Sequence, residues 1–216
     1  LILNTIGKYV LKNNLRITAH PGPFNVLTSP KEDVVKKCVH DLSIHGDTFD
    51  LMNLSRTPYN KINIHIGGAY GDKKSAMKRF CENFNLLPHS VKDRLTIEND
   101  DRESLYSVKE LYEGIYQTIG IPIVFDYHHH KFCNGNLSEE DALKLACKTW
   151  GIIKPVVHYS ESKSTEYKDS SIKPQAHSDY IYNHINTYGY KLDIMIEAKH
   201  KELAVLKYLN IHRMAI

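Results

Sequence analysis

Six apolar runs of strand length recur along this chain, each followed by a polar loop and then a segment with helical spacing. They read "LRITAH", "KINIHIGG", "RLTIENDD", "IPIVFDYHHH", "IIKPVVHYS" and "KLDIMIEAK". Strands that alternate with helices build parallel βαβ units, which require strands buried on both faces. The fold class is therefore α/β, either a doubly wound sheet or a TIM (β/α)8-type barrel. Helix signals fill the intervals. Ser29-Pro30-Lys31-Glu32 reads as a capping box with proline at the first helical position, and Ser138 to Asp141 offers a similar start for "EEDALKLACKTW". Ala76, Phe80, Phe84 and Leu87 recur at three- and four-residue spacing, as do Leu105, Val108, Leu111 and Ile115. A further helix is expected from Leu1 to Lys12. The polar stretch Ser160 to Gln175, "SESKSTEYKDSSIKPQ", reads as a surface loop beside the strand ends.

With 216 residues and 42% hydrophobic content, the chain suffices for one barrel-sized domain spanning residues 1–216. It has neither a signal-peptide pattern nor an apolar run long enough to span a bilayer, so a soluble, intracellular protein without a membrane partner is expected. Four cysteines (Cys38, Cys81, Cys133 and Cys147) lie far apart without a CxxC pair, which suits reduced structural thiols and argues against thiolate-bound zinc. A formal charge of +3 is too small to advertise nucleic-acid binding, although bound cations would add to it.

The chemistry lies at the strand ends. His20 ends the first run, His65 lies in the second, Glu98 in the third, Asp126 and His129 in the fourth, His158 in the fifth and Glu197 in the sixth. A lone histidine near a strand end is ordinarily a hydrogen-bonded structural residue, Glu98 alone could be a solvated acid, and Glu197 could cap a helix. Independent placement would not put a ligand type at six consecutive strand ends, and only a barrel brings those ends toward one axis. His177, after the polar loop, can face the same mouth. His128 and His130 point away from His129 if strand alternation continues, and the remaining histidines suit the surface. Imidazoles and carboxylates without thiolate suit zinc, manganese or iron, and the set exceeds what one tetrahedral ion needs. Two or three divalent ions are implied. Such clusters serve phosphoryl-ester hydrolysis, which makes phosphodiesters the leading substrate class.

The segments "RITAHPGPFNVLTSP", "INIHIGGAYGDKKSAMKRF", "RLTIENDD", "PIVFDYHHH", "HYSES", "AHSDYI" and "DIMIEAKHKE" resemble, in order, the motifs of the UV damage endonuclease family. The resemblance spans nearly all of the chain. It implies a TIM barrel similar to that of apurinic endonucleases, damaged double-stranded DNA as partner, and a DNA repair activity that cuts immediately 5′ of cyclobutane dimers, 6-4 products and some other lesions. It implies a cluster of two to three divalent ions, Mn2+ in preference to Zn2+, Mg2+ or Co2+. The matching ligands are His20, His65, Glu98, Asp126, His129, His158, His177 and Glu197. Glu98 resembles a bridging carboxylate, with His20 and His65 on one ion and Asp126, His158 and Glu197 on another, leaving His129 and His177 for the third. Glu98, Asp126 and Glu197 are thereby the catalytic carboxylates. The implied reaction is in-line attack at phosphorus that leaves a 3′-hydroxyl and a 5′-phosphate, with metal coordination replacing a side-chain general base.

The chain also departs from the family. The glutamine and tyrosine that follow "HPG" in relatives are Pro23 and Phe24 here; Phe24 can still wedge or stack, whereas Pro23 offers no polar group. A modified lysine that some members use two positions before the residue matching His158 is Val156, and Lys154 is displaced from it. Six runs fall short of eight, so the first two barrel strands are expected to be missing from this chain. Lys73 and Lys74 open a helix after "GGAYG" and, with Lys78, Arg79 and Tyr70, are candidate DNA contacts. The protein is expected to be a monomer. Two other functions remain open: a metal-dependent sugar isomerase of the same architecture, and a catalytically inactive remnant that binds damaged DNA.

Overall fold

The computed structural model describes residues 2–213, so Leu1 lies outside the described residues. The last five runs become strands: β1 (Ile62–Ile64), β2 (Leu95–Glu98), β3 (Ile123–Asp126), β4 (Val156–Tyr159) and β5 (Asp193–Ile196). They form one parallel sheet in the order β1-β2-β3-β4-β5. The first run falls short of a strand. Ala19 alone bridges to Ile62, its N–H donating to the Lys61 carbonyl at 2.9 Å and its carbonyl accepting from the Asn63 N–H at 2.8 Å. Pro21 and Pro23 follow at once and carry no N–H to extend the ladder.

The sheet is curled. In a flat sheet the first run and β5 would stand about 24 Å apart, five spacings of about 4.8 Å. Instead, Arg16 donates through Nη1 to Asp193 Oδ2 at 2.8 Å, to the Lys154 carbonyl at 2.8 Å and, through Nε, to the Tyr59 carbonyl at 2.7 Å. One side chain thus ties the first run to the start of β5, and the strands form a half-barrel. Every residue of β1 to β4 is buried, whereas β5 is half-exposed throughout, as befits a strand with one strand neighbour among the described residues. Ile62, Ile64, Leu95, Ile97, Ile123 and Phe125 pack into a single apolar cluster that reaches from Val10 to Tyr208.

The helices follow most of the sequence signals, although Lys73–Phe84 ends before Leu87. Ser138 caps the helix Glu139–Lys148 by accepting from the Asp141 N–H, and Asp72 caps Lys73–Phe84. At Ser29, however, the helix begins only at Glu32, and the hydroxyl accepts from the Lys31 N–H at 3.1 Å in a local turn, so no capping box forms. A completed box occurs instead at Ser107 and Glu110. The helix it starts, Val108–Leu111, leaves Leu105 outside and widens into a π-helical stretch at Tyr112–Tyr116 before ending with Gln117–Ile119. Gly114 sits within that stretch, where any Cβ would collide with Met77 of the helix Lys73–Phe84. All four cysteines are free thiols, and burial pushes Cys38 up to about 12 and Cys133 and Cys147 up to about 11. Among the described residues no helix is long and apolar enough to cross a membrane.

Candidate metal centre

The centre is built outward from the carboxyl ends of β2, β3 and β4. Glu98 ends β2 and is buried; its Oε2 accepts from Nδ2 of Asn63 on β1, and Asn63 is itself held by the Thr96 hydroxyl at 2.8 Å. Asp126 ends β3 and caps a single helical turn, Tyr127–His130, accepting from the His129 N–H at 2.8 Å. That turn, rather than continued strand alternation, sends His128 and His130 away from His129 and into buried positions. His129 Nδ1 lies 2.9 Å from the Asn99 carbonyl, which can only accept, so in the neutral ring Nδ1 carries the proton and Nε2 keeps its lone pair. His158 of β4 is wholly buried, with Nδ1 3.2 Å from Glu98 Oε2 and 3.0 Å from Glu197 Oε1.

Residues beyond the strands complete the ring. His65 follows β1 with Nδ1 3.0 Å from Asp100 Oδ1, and His20 places Nε2 3.2 Å from Glu98 Oε2. His177 Nδ1 stands 3.7 Å from Glu197 Oε2, and its ring is 6.3 Å from that of His129. Among the described residues, three groups of ligand atoms fall within 4.8 Å of one another: His20, His65 and Glu98; His20, His158 and Glu197; and Glu98, Asp126 and His158. His129 and His177 border these groups. All eight residues singled out from the sequence thus face one region.

Three atoms test whether a divalent ion fits here. Glu98 Oε1, Asp126 Oδ2 and His158 Nδ1 are buried and make no hydrogen bond, although carboxylates and imidazoles stand at ion-pair distance from one another. Buried polar atoms left this way are costly unless something else satisfies them, and every one of these is a metal-ligand atom. The donor set fits a hard or borderline divalent ion. The charges are interlocked as well. Burial alone would lower His65 and His158, but Glu98 dominates with help from Asp100 or Glu197 and raises both to about 9. Against its own burial, Glu98 is held well below the usual range by His158 and His65. Burial, reinforced by Glu98, lifts Asp126 to about 6 in spite of His129.

Sequence reasoning missed Lys61. It is fully buried below the centre, with Nζ 3.4 Å from His158 Nε2, and burial lowers it to about 8 despite the pull of Glu98. The signal was present: Lys61, Asn63 and His65 alternate onto one face of the β1 segment. Asn63, Asn99 and Asp100 were likewise hidden as supporting residues. Lys154, by contrast, sits at the other end of β4, paired with Asp193.

Of the candidate DNA contacts, Phe24 is 87% exposed and Pro23 is exposed beside it. Tyr70 is 52% exposed and holds φ at 50°, between Gly67 and Gly71, which also have positive φ. Such a conformation is strained for an aromatic residue, and the Arg79 guanidinium 5.7 Å from its ring supports it. Lys74 is exposed, but Lys73 is committed to Glu110 Oε1 at 2.7 Å and to the Glu103 carbonyl at 2.8 Å. Its ammonium is a structural tie.

Residues 2–215 match the family model described as UV-endonuclease UvdE. The chain belongs to the UvdE family. It is 38% identical to the UV DNA damage endonuclease of Bacillus mycoides over 94% of this chain and 64% of that protein. It is 39% identical to the UV DNA damage endonuclease of Bacillus velezensis over 95% of this chain and 64% of that protein. The chain thus spans about 64% of the length of these UvdE relatives. The crystal structure of SacUVDE superimposes with a TM-score of 0.85 at 35% identity, covering 98% of this chain and 70% of the other. A D-psicose 3-epimerase of Clostridium cellulolyticum superimposes with a TM-score of 0.63 at 14% identity, covering 91% of this chain and 68% of the other, a likeness of fold alone.

Proposed function

We propose that this centre is the active site of a DNA repair endonuclease that hydrolyses the phosphodiester immediately 5′ of UV photoproducts in double-stranded DNA. The observation that carries the reading is the set of buried carboxylate and imidazole atoms that converge without hydrogen-bond partners. Membership of the UvdE family supports DNA as the substrate. The likeness to SacUVDE, over 98% of this chain, supports reading the half-barrel as the fold of this family.

Two or three divalent ions, manganese in preference, are assigned to the eight residues: His20, His65, Glu98, Asp126, His129, His158, His177 and Glu197. Bound there, they would activate a water and stabilise the attacking and leaving oxygens. Glu98 is the carboxylate that belongs to two of the three ligand groups, so it would help to hold two ions. Asn63 orients it, as Asn99 orients His129 and Asp100 orients His65. Asp126 does double duty, since one oxygen holds the His129 turn while the other is free to coordinate. On the outside, the exposed rings of Phe24 and Tyr70 suit stacking on unpaired or distorted bases, and Lys74 suits a backbone phosphate. Pro23 adds rigidity beside Phe24 rather than a polar contact.

The test is a nicking assay on an end-labelled duplex that carries one defined cyclobutane dimer, with Mn2+, comparing wild type with Glu98→Gln. A cut directly 5′ of the dimer, lost in the variant, is expected. Specific binding of the damaged duplex by wild type without any cut would replace this reading with that of a DNA-binding protein.

A further inference from the structure

His177 has no strand to hold it. It lies in the irregular stretch between the short helix Lys163–Tyr167 and β5, where a bridge to Ser162 is its pairing in the ladder. The next six residues are nonetheless restrained by two side chains. Glu161 is buried, and its Oε1 accepts from the N–H groups of Tyr182 at 3.0 Å and Asn183 at 2.8 Å. Glu166 accepts from the Asp179 N–H at 2.6 Å and the Tyr180 N–H at 3.2 Å, and also from the Tyr182 hydroxyl at 3.2 Å. The Glu161 carbonyl takes the Ser178 N–H at 2.8 Å. Five main-chain donors just after His177 are thus gathered by two glutamates, in the way that strand neighbours gather donors in a sheet.

The ends of the stretch are fixed as well. Lys163 donates its N–H to the Ala176 carbonyl at 2.7 Å, and its ammonium reaches Asp179 at 3.0 Å. Tyr167 donates its hydroxyl to the other Asp179 oxygen. The Lys207 ammonium lies over the rings of Tyr180 and Tyr182, at 4.0 and 4.5 Å. Hydrogen bonds to an ionised carboxylate are about twice as strong as neutral ones, so a pair of glutamates can impose on a loop the order that a ladder imposes on a strand.

We infer that Glu161 and Glu166 are positioning residues, a carboxylate clamp that orders the 176–183 stretch so that His177 meets Glu197 and His129 in the centre. The inference rests on the metal-centre reading given above. The clamp residues do not themselves belong to the ligand groups; they act through His177.

The experiment compares wild type, Glu161→Ala, Glu161→Gln, Glu166→Ala, His177→Ala and the double variant Glu161→Ala/His177→Ala. Hydrogen exchange of residues 176–183 is measured without metal, and Mn2+ binding by equilibrium dialysis. Glu161→Ala and Glu166→Ala are expected to speed exchange in this stretch and to weaken the same Mn2+ binding step that His177→Ala weakens, by about 10–100-fold. The double variant should lose no more than His177→Ala alone. Glu161→Gln, which keeps an acceptor oxygen, should restore binding. Unchanged exchange in the alanine variants would overturn the clamp. Faster exchange with wild-type Mn2+ binding would reduce it to a stability element and overturn the positioning role. If wild type binds no divalent ion, the metal-centre reading falls by itself, and the exchange data alone then decide whether the clamp orders the stretch.

Discussion

The centre is held in two different ways. Glu98, Asp126 and His158 stand on strands, with side chains 0–1% exposed. His20, His65 and His177 stand on connecting segments, with side chains 37%, 29% and 24% exposed. The strand-borne residues inherit their positions from the parallel ladder, in which the register sets Glu98 beside Val124 and Asp126 beside His158. Loop-borne residues inherit nothing and need partners of their own. His65 has Asp100, and His177 has the stretch gathered by Glu161 and Glu166, whereas His20 leans on Glu98 at 3.2 Å, on the Pro21 carbonyl at a long 3.4 Å and on the His65 and His158 rings. The ladder thus places the strand-borne residues, with Asn63 completing the hold on Glu98, while two of the three loop-borne histidines depend on carboxylates outside the ligand groups.

The largest effect should come from breaking the strand-borne set. Glu98→Gln removes the carboxylate that raises His65 and His158 to about 9 and leaves these imidazoles without their counter-charge in the centre. Urea denaturation of the metal-free protein should show a loss of about 3–5 kcal/mol, as expected when one partner of a buried ionic set is removed.

Protons sharpen the comparison next. His65 and His158 are raised to about 9, so in the metal-free protein both are protonated at pH 7, and an ion that coordinates them must displace both protons. Mn2+ affinity should climb by up to about 100-fold per pH unit below 9 and then level off, with calorimetry in buffers of different ionisation enthalpy reporting the release. The same shifts stabilise the metal-free fold. Because both folded values exceed the unfolded value of about 6.5, that contribution is complete below pH 6.5 and is lost as pH rises through 9. Lys61 works in the opposite direction: its folded value of about 8 lies below the unfolded 10.5, so its burial penalty is present below pH 8 and fades above it.

Among the loop-borne histidines, His65 should respond through its partner: Asp100→Asn should weaken Mn2+ binding about 10–100-fold by removing the carboxylate that orients it, again read by calorimetry. Lys61→Met should leave the fold intact and range from neutral to roughly 2 kcal/mol more stable in urea at pH 7, because it removes a charge buried without a carboxylate partner. His20→Ala should cost least, under about 1 kcal/mol in urea, since its side chain is partly solvated and weakly held.

The barrel-like fold and its metal-ligand candidates were readable because both follow simple periods. A β-strand repeats every two residues and ends where the apolar run ends, so a polar residue at that point marks the mouth of a parallel sheet. The same rule left Lys61 hidden, because a lysine two residues before Asn63 looks like the polar start of a strand rather than a charge inside it. It turned His128 and His130 away from His129 for the wrong reason, since the backbone there had already become a helix capped by Asp126. At Ser29 the pattern for a capping box was present in the residues but not in the chain, since the hydroxyl was satisfied by a nearer N–H.

The amino-acid sequence by itself determined the alternation of strand and helix, the parallel sheet and the identity of the eight ligand-type side chains, because these depend on local periods and on the chemistry of single residues. Only the tertiary structure decided how far Ala19 extends the sheet, that Lys73 is spent on Glu110, that Lys61 lies beneath His158 and that two glutamates order the stretch after His177. Each of these joins residues distant along the chain. Such contacts are set by how the sheet curls and the helices dock, and no local pattern records that geometry.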